Sequence, residues 1–521
     1  MILQLIANKW TQHNSIAICG NIYIGTQEVS HVSVANKISQ ITHNEQLVNY
    51  ISNLNGCFSI VVNNEHLQCI IVDKTRLYPL FYKTTNDETI VSDLALELLD
   101  NNSCIDSKAL VEYQYTGATF EGNTLISNIR QCKPAHITFF GKDFFETLKF
   151  HSMESQHDNN KTHDELECEF SRVLENVFAR AKATIGNRQV VIPLSGGYDS
   201  RLILAMLVKQ GIRNVVCFTV GREVEGEQSV AIRVANKLNI PIYRIDFSDS
   251  ENIMQDFNSD EFRKFCNFMG NFTNFLWLFE YNAVLWLKKR NLIADNAIFI
   301  PGHAGDFFAG SHLKKVGISK NISTIRLVNN FLLNSFEYGK PFFSCHLRKT
   351  IKKIFSDCKQ RGTIPYTAAI EFICQNRIAH NITNSARVYG YLGYECILPL
   401  CDKEFCNFFR SINYEQKYNT VFYDTFVEEK IFKPLNINYR KQKSTSCRKQ
   451  HIKNLMKSFV PRRINLKLKN QTDLVTESYL AKEMLSELVE TGVLKNEHDY
   501  FNSNEVMMLW YLEFVKKQLH K

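Results

Sequence analysis

The 521-residue chain is 45% hydrophobic, 12% aromatic and 22% charged. This is enough for about two or three domains with real cores, and it excludes a disordered, collagenous or low-complexity chain. The net charge of +8 is local: eleven Lys and Arg and no acidic residue lie between 440 and 469, so the rest of the chain carries 8 − 11 = −3.

A basic patch of this kind suits nucleic acid, an anionic lipid surface or a phosphorylated substrate, or it is simply a solvated face. Nucleic acid is the least favoured partner, because a single aromatic residue, Phe459, lies within the patch and the chain holds no CxxC pair. No charge-free apolar run reaches the ~18 residues that a membrane span needs. The chain opens Met-Ile-Leu-Gln-Leu-Ile, with neither the basic region nor the cleavage site of a secretory signal. The fifteen cysteines run from Cys19 to Cys447, and the five-residue step of Cys396, Cys401 and Cys406 fits neither a zinc site nor one helical face. They read as reduced core thiols of a cytoplasmic protein.

In chain order, residues 1–150 alternate short apolar runs with turn residues. Strands are expected over 56–62, 68–73, 78–83 and 137–140, with short helices over 94–100 and 107–115. The polar stretch 151–163 reads as a linker. Residues 165–182 repeat apolar side chains at helical spacing (Leu166, Phe170, Val173, Leu174, Val177). Strands over 190–194, 214–220 and 241–247 then alternate with helices over 199–210 and 225–239, which implies βαβ units and a parallel sheet. The apolar run 272–287 is expected to be one buried helix. A further strand over 297–301 ends in a Gly-rich turn, and the pattern beyond about 320 is mostly helical.

The chemistry concentrates where the strand at 190–194 meets the next helix, at Ser195-Gly196-Gly197-Tyr198-Asp199-Ser200. Adjacent glycines let backbone approach a phosphate, and a helix N-terminus directs N–H groups at it. Ser195 and Ser200 add hydroxyls. Asp199 belongs in an anion site only with a cation such as Mg2+ bridging it to phosphate oxygens. No Lys follows at Walker spacing, so this is not a P-loop.

Ser-Gly-Gly-x-Asp-Ser resembles the pyrophosphate loop of the ATP-pyrophosphatase (PP-loop) superfamily. Three further stretches are similar to asparagine synthetases: Phe218-Thr219-Val220-Gly221 with the helix after it, Pro301-Gly302-His303-Ala304-Gly305-Asp306 with Ala309-Gly310, and residues 393–408. In the first zone residues 56–62, Asp73-Lys74-Thr75-Arg76, Pro79-Leu80-Phe81-Tyr82 and Ser92-Asp93 resemble the class II glutaminase domain of the same enzymes.

The resemblance implies an α/β protein. An N-terminal antiparallel αββα (Ntn-hydrolase-like) domain would occupy 1–150, and a parallel-sheet nucleotide-binding domain with added helices would occupy 164–521. It implies ATP and Mg2+ as cofactors. Leu194, Ser195, Gly196, Gly197, Asp199, Ser200, Val220 and Gly302 would bind the nucleotide, Asp199 and Asp306 the metal, and Lys441 or Lys443 would face the phosphates. The implied reaction adenylates aspartate or a related acid and forms an amide with ammonia or another amine.

Three departures alter the expectation. Position 2 is Ile, where glutamine-hydrolysing members carry a nucleophilic Cys, so a separate ammonia source is expected. His303 stands where the family has Glu, either as a neutral base or as a hydrogen-bonding turn residue. Phe307 replaces a second Glu, which leaves Asp306 alone at the metal edge. A sugar acid of surface-polysaccharide synthesis as substrate, a non-catalytic ATP-binding partner role, and a homodimer are the other expectations.

Overall fold

The computed structural model describes every residue except 86–87, 142–144, 156–160, 222–226, 336–343, 440–479, 501 and 520–521. The expected linker is therefore described only in part, and the basic segment with Lys441 and Lys443 lies outside the described residues.

The N-terminal part holds β1 (Ile2–Gln4), β2 (Thr11–His13), β3 (Ile16–Ile24), β4 (Gln27–Glu28), β5 (Asn55–Asn63), β6 (Gln68–Val72), β7 (Phe81–Thr84), β8 (Thr89–Ser92), β9 (Arg130–Gln131), β10 (His136–Phe140) and β11 (Phe145–Lys149). An antiparallel sheet in the order β11-β10-β6-β5-β3-β2, with β4 on β3, stacks on a mixed sheet in the order β1-β8-β7-β9. Period-two alternation explains the stacking. On β6, Cys69 and Ile71 face helices α1 (His31–Ser39) and α2 (Asn44–Asn53), while Ile70 and Val72 face Leu80, Tyr82 and Val91 of the second sheet. The far side of that sheet, with Leu77, Phe81 and Ala95, packs with Tyr113 of α3 (Ser107–Thr116) into the large core shared with the rest of the chain. This is the helix–sheet–sheet–helix order expected of the zone.

The C-terminal part opens on α4 (His163–Ile185), started by a reciprocal capping box of Thr162 and Glu165 and buried along the predicted apolar stripe. A parallel sheet follows in the order β14-β13-β12-β15-β16, from β12 (Val190–Pro193), β13 (Val215–Val220), β14 (Ile242–Ile245), β15 (Ile298–Phe299) and β16 (Glu395–Cys396). Helices α5 (Tyr198–Lys209) and α6 (Glu227–Lys237) link its first three strands. The mixed α/β architecture is the expected one.

Several local expectations fail for identifiable reasons. The run 94–100 forms only a 3-10 turn, Ala95–Leu98. The strand at 78–83 starts at Phe81, beyond Pro79, which cannot donate to a ladder. The single helix over 272–287 is instead a buried turn followed by α8 (Leu278–Lys289), and the preceding α7 (Asp260–Gly270) stops at Asn271. Asn271 and Phe272 take left-handed φ of 46° and 56°. The Asn271 side chain is committed elsewhere, accepting from Ala95 N at 2.8 Å and donating to Phe268 O at 2.8 Å. Tertiary contacts outweigh the apolar period.

Every described cysteine is free, and most are buried. No described helix is long and apolar enough to cross a membrane.

A pH effect follows from β10. Burial holds the His136 imidazole down at about 3, with Nδ1 directed at the Pro134 carbonyl at 2.7 Å. Below its ordinary value near 6.5, the unfolded chain takes a proton that the folded one refuses, so His136 costs stability as pH falls from 6.5 toward 3. The stability of His136→Gln relative to wild type should therefore rise by ~1.4 kcal/mol per pH unit of acidification below 6.5. Paired thermal melts at pH 7.5, 6 and 5 measure it; a pH-independent difference would refute it.

Candidate active site

Strand β12 delivers the chain into the loop at the C-terminal edge of the parallel sheet, and α5 starts immediately, with Gly197 as its N-cap at φ −73° and ψ 170°. Helix geometry leaves the first-turn N–H groups of α5 without intrahelical partners, which suits an anion. The two serine hydroxyls are tied into the loop itself. Ser195 Oγ and Ser200 Oγ lie 3.0 Å apart; Ser200 Oγ accepts from Ser195 N at 3.0 Å, and Ser195 Oγ accepts from Gly197 N at 3.1 Å. They brace the loop. Ser200 is buried while Ser195 is exposed.

Asp199 turns the other way. Its Oδ1 accepts from Tyr423 Oη at 2.8 Å and its Oδ2 from the backbone N–H of Asp306 at 3.1 Å. Burial, and then the charge of Asp306, push the Asp199 carboxyl up to about 8. Two carboxylates that destabilise one another's ionisation in this way fit a divalent cation, which would relieve the repulsion. Among the described residues no group of three or more His, Cys, Asp or Glu gathers, so a cation here would rely on substrate oxygens and water, as Mg2+ commonly does.

Two glycines make this approach possible. A Cβ on Gly302 would sit 2.3 Å from Ser200 N and 2.7 Å from the Asp199 carbonyl carbon, and one on Gly305 would sit 2.8 Å from Asp199 Oδ1.

Beside the loop opens a cavity of about 540 Å³. Leu194, Ser195, Ser200, Val220, Gly302 and His303 of the predicted set line it. Gly196, Gly197, Asp199 and Asp306 are not among its lining residues; the lining residue Gly302 packs against the Asp199 and Ser200 backbone. The sequence reading missed Trp277, Phe279 and Glu280, which reach the cavity from the start of α8. Burial pushes Glu280 up to about 7; Trp277 hydrogen-bonds the carboxyl, yet Oε2 has no partner among the described residues. His303 is held down at about 4 by burial, so its ring is neutral at pH 7, and its Nδ1 likewise has no described partner. The turn-anchoring hydrogen bond expected as one role for His303 is thus not made through Nδ1.

Arg201 and Tyr423 were also missed. Arg201 is fully buried, donates to Gly196 O at 2.8 Å, and reaches Ile437 O and Tyr439 O at 3.1 and 2.9 Å. It ties the loop to the stretch just before residue 440. Adjacency to the motif could have flagged Arg201, but nothing local points to Tyr423 or Glu280.

No family model matches the sequence, and no curated protein matches it. Solved structures that match include three enzymes. The chain is 18% identical to a tRNA thiolase from Methanococcus maripaludis solved with its 4Fe–4S cluster, covering 42% of this chain and 81% of that one, at a TM-score of 0.19. It is 13% identical to an NH3-dependent NAD synthetase from Campylobacter jejuni, covering 41% and 93%, at a TM-score of 0.21. It is 14% identical to a glutamine phosphoribosylpyrophosphate amidotransferase from B. subtilis, covering 57% and 58%, at a TM-score of 0.17. Superpositions this loose carry no argument about chemistry, which rests on this chain's own residues.

Proposed function

We propose that this protein is an ATP-dependent, adenylating carbon–nitrogen ligase of the asparagine synthetase kind. A substrate carboxylate oxygen would attack the α-phosphorus of ATP and expel pyrophosphate. An amine or ammonia would then attack the acyl carbon, expel AMP and lose a proton. The observation that carries this reading is the strand–Ser195-Gly196-Gly197-Tyr198-Asp199-Ser200–helix turn at the mouth of a nucleotide-sized cavity, with Asp199 and Asp306 side by side behind it.

In this reading the α5 N-terminus and the glycine loop hold the departing pyrophosphate, while Leu194, Val220 and Gly302 frame the adenine. Asp199 and Asp306 would hold Mg2+, whose contribution is to neutralise phosphate charge. Lys441 and Lys443 follow Tyr439 by two and four residues. The contact between Tyr439 O and Arg201 supports assigning one of them to the phosphates.

Residues 1–150 then form a glutaminase-like domain without its nucleophile, ammonia comes from a separate source, and residues 164–521 form the synthetase domain. Aspartate is the first acid to test, and a sugar acid the second.

Glu280 suits the proton step better than His303. A base works best when its pKa lies near the working pH; Glu280 is held near 7, and His303 near 4. Glu280→Gln should lower the amide-forming rate by ~10²-fold and abolish the rise of kcat with pH through about 7.

The test of the whole reading is release of AMP and pyrophosphate from ATP with Mg2+, ammonia, and aspartate or other acids, with products identified by mass spectrometry. Release that depends on an acid supports it. ATP binding without release from any acid tried would replace it with the non-catalytic role.

A further inference from the structure

Away from the nucleotide cavity, two guanidinium groups are shut off from solvent where the N-terminal part meets the C-terminal part. Arg76, in the loop after β6, is 0% exposed, and Arg387, at the start of the helix Arg387–Tyr391, is 3% exposed. Neither forms an ion pair among the described residues. Four of their nitrogens are buried without an acceptor among the described residues: Nε and Nη1 of Arg76, and Nε and Nη2 of Arg387.

Arg76 lies 5.7 Å over the Phe81 ring, and the other contacts lead to the end of α7 and the turn after it. Arg76 Nη2 donates to Thr273 Oγ1 at 3.3 Å, and Arg387 lies 4.3 Å over the Phe268 ring. Arg387 Nη1 donates to Asn384 Oδ1 at 3.2 Å, and Asn384 in turn donates to Met269 O at 3.0 Å. Thr383 Oγ1 donates to the carbonyl of Thr75, next to Arg76. After burial, the charge of Arg387 is what most lowers the Arg76 guanidinium, to about 9, so both remain cationic at neutral pH.

Neighbouring residues do not balance this charge. His380, which also feels Arg76, is held neutral by burial. Asp93 acts on Arg387, but its two oxygens already accept from the backbone of Ile6, Ala7 and Asn8 and the side chains of Asn8 and Trp10. Two buried cations against one committed carboxylate leave an excess of one positive charge, and an uncompensated buried ion is strongly destabilising.

We propose that Arg76 and Arg387 together bind a small monovalent inorganic anion of the halide class, enclosed between the loop after β6, residues 268–274 at the end of α7 and the segment 383–387. A doubly charged phosphate would overshoot the excess, and near-zero exposure leaves no mouth for an organic acid. The ion joins the two parts of the chain and braces the turn leading into Trp277, Phe279 and Glu280. It does not depend on the ligase reading.

The test uses the full chain purified in sodium gluconate. Replacing gluconate by chloride or bromide at constant ionic strength should raise the thermal midpoint saturably, by ~3 °C or more at a hundred times the dissociation constant. Arg387→Gln should abolish that response. Crystals grown in bromide should show an anomalous peak in contact with both guanidinium groups; this needs no variant and decides the matter if Arg387→Gln fails to fold. Water at that position, a bromide peak without a saturable midpoint shift, or an equal halide response in Arg387→Gln would each overturn the proposal.

Discussion

Gly302→Ala should cut acid-dependent pyrophosphate release by ~10²-fold or more while the protein stays folded. The new methyl would stand 2.3 Å from Ser200 N and 2.5 Å from Ser200 Cα, both backbone atoms that no rotamer change can move aside. Either the Pro301–Gly302 turn or the first turn of α5 must retreat by about an ångström, and a shift of that size in a positioned group is enough for such a loss. Ser200 is also the residue whose hydroxyl accepts from Ser195 N, so the displacement spreads to the phosphate loop itself. Retreat of the turn would also pull Asp306 from Asp199, where the separation is set by a 3.1 Å backbone contact. Steady-state pyrophosphate release beside a thermal melt separates the outcomes. Near-normal release would mean that the approach of Gly302 to α5 does not position the reacting groups.

The same loop shows how far the sequence could be read. Ser195–Ser200 was legible because glycine pairs, hydroxyls and a carboxylate at a strand-to-helix junction form a local pattern set by backbone sterics. Asp306 and Gly302 came only from the resemblance of residues 301–306 to asparagine synthetases, and the fold brings them against Asp199. Glu280 and Tyr423 lie 81 and 224 residues from Asp199, and only tertiary packing carries them to the site, so no window of sequence could reveal them. The hydrogen bonds of Ser200 and the burial of His303 were not legible for a related reason: a hydroxyl or imidazole is defined by its surroundings, which the fold assembles. Parallel strands were visible as short apolar runs between helices. The two-residue strand Glu395–Cys396 was not, because its place at the sheet edge depends on pairing with Ile298–Phe299. The apolar run after α7 was read as a helix because composition does not show that Asn271 takes a left-handed conformation and spends its side chain on Ala95 and Phe268.

Asp402→Ala should destabilise the protein by ~3–5 kcal/mol, the largest loss expected of any single replacement considered. Asp402 belongs to the stretch that resembles a synthetase motif, yet its contacts are architectural. Its carboxylate takes both Nε and Nη2 of Arg180 at 2.8 and 2.9 Å, with Arg180 only 2% exposed. It also accepts from Asn55 Nδ2 at 2.9 Å and from Glu404 N at 2.8 Å, capping the helix Lys403–Ser411. Arg180 in turn donates to Gly25 O at 2.8 Å, so one carboxylate joins α4, that helix and the N-terminal sheet. Truncation leaves the buried guanidinium with only the half-exposed Glu404, 3.3 Å away, as an ionic partner, and a helix without its cap, and both costs fall in one place. The exposed pair Lys320–Glu415 is the control: Glu415→Ala should cost under ~1 kcal/mol, because solvent already screens it. The discriminating variant is the double replacement Arg180→Met with Asp402→Leu. If the damage in Asp402→Ala comes from an orphaned charge, the double variant should melt higher than the single one. If it melts no higher, the loss lies in the hydrogen bonds to Asn55 and Glu404, and charge burial is not what makes Asp402 indispensable.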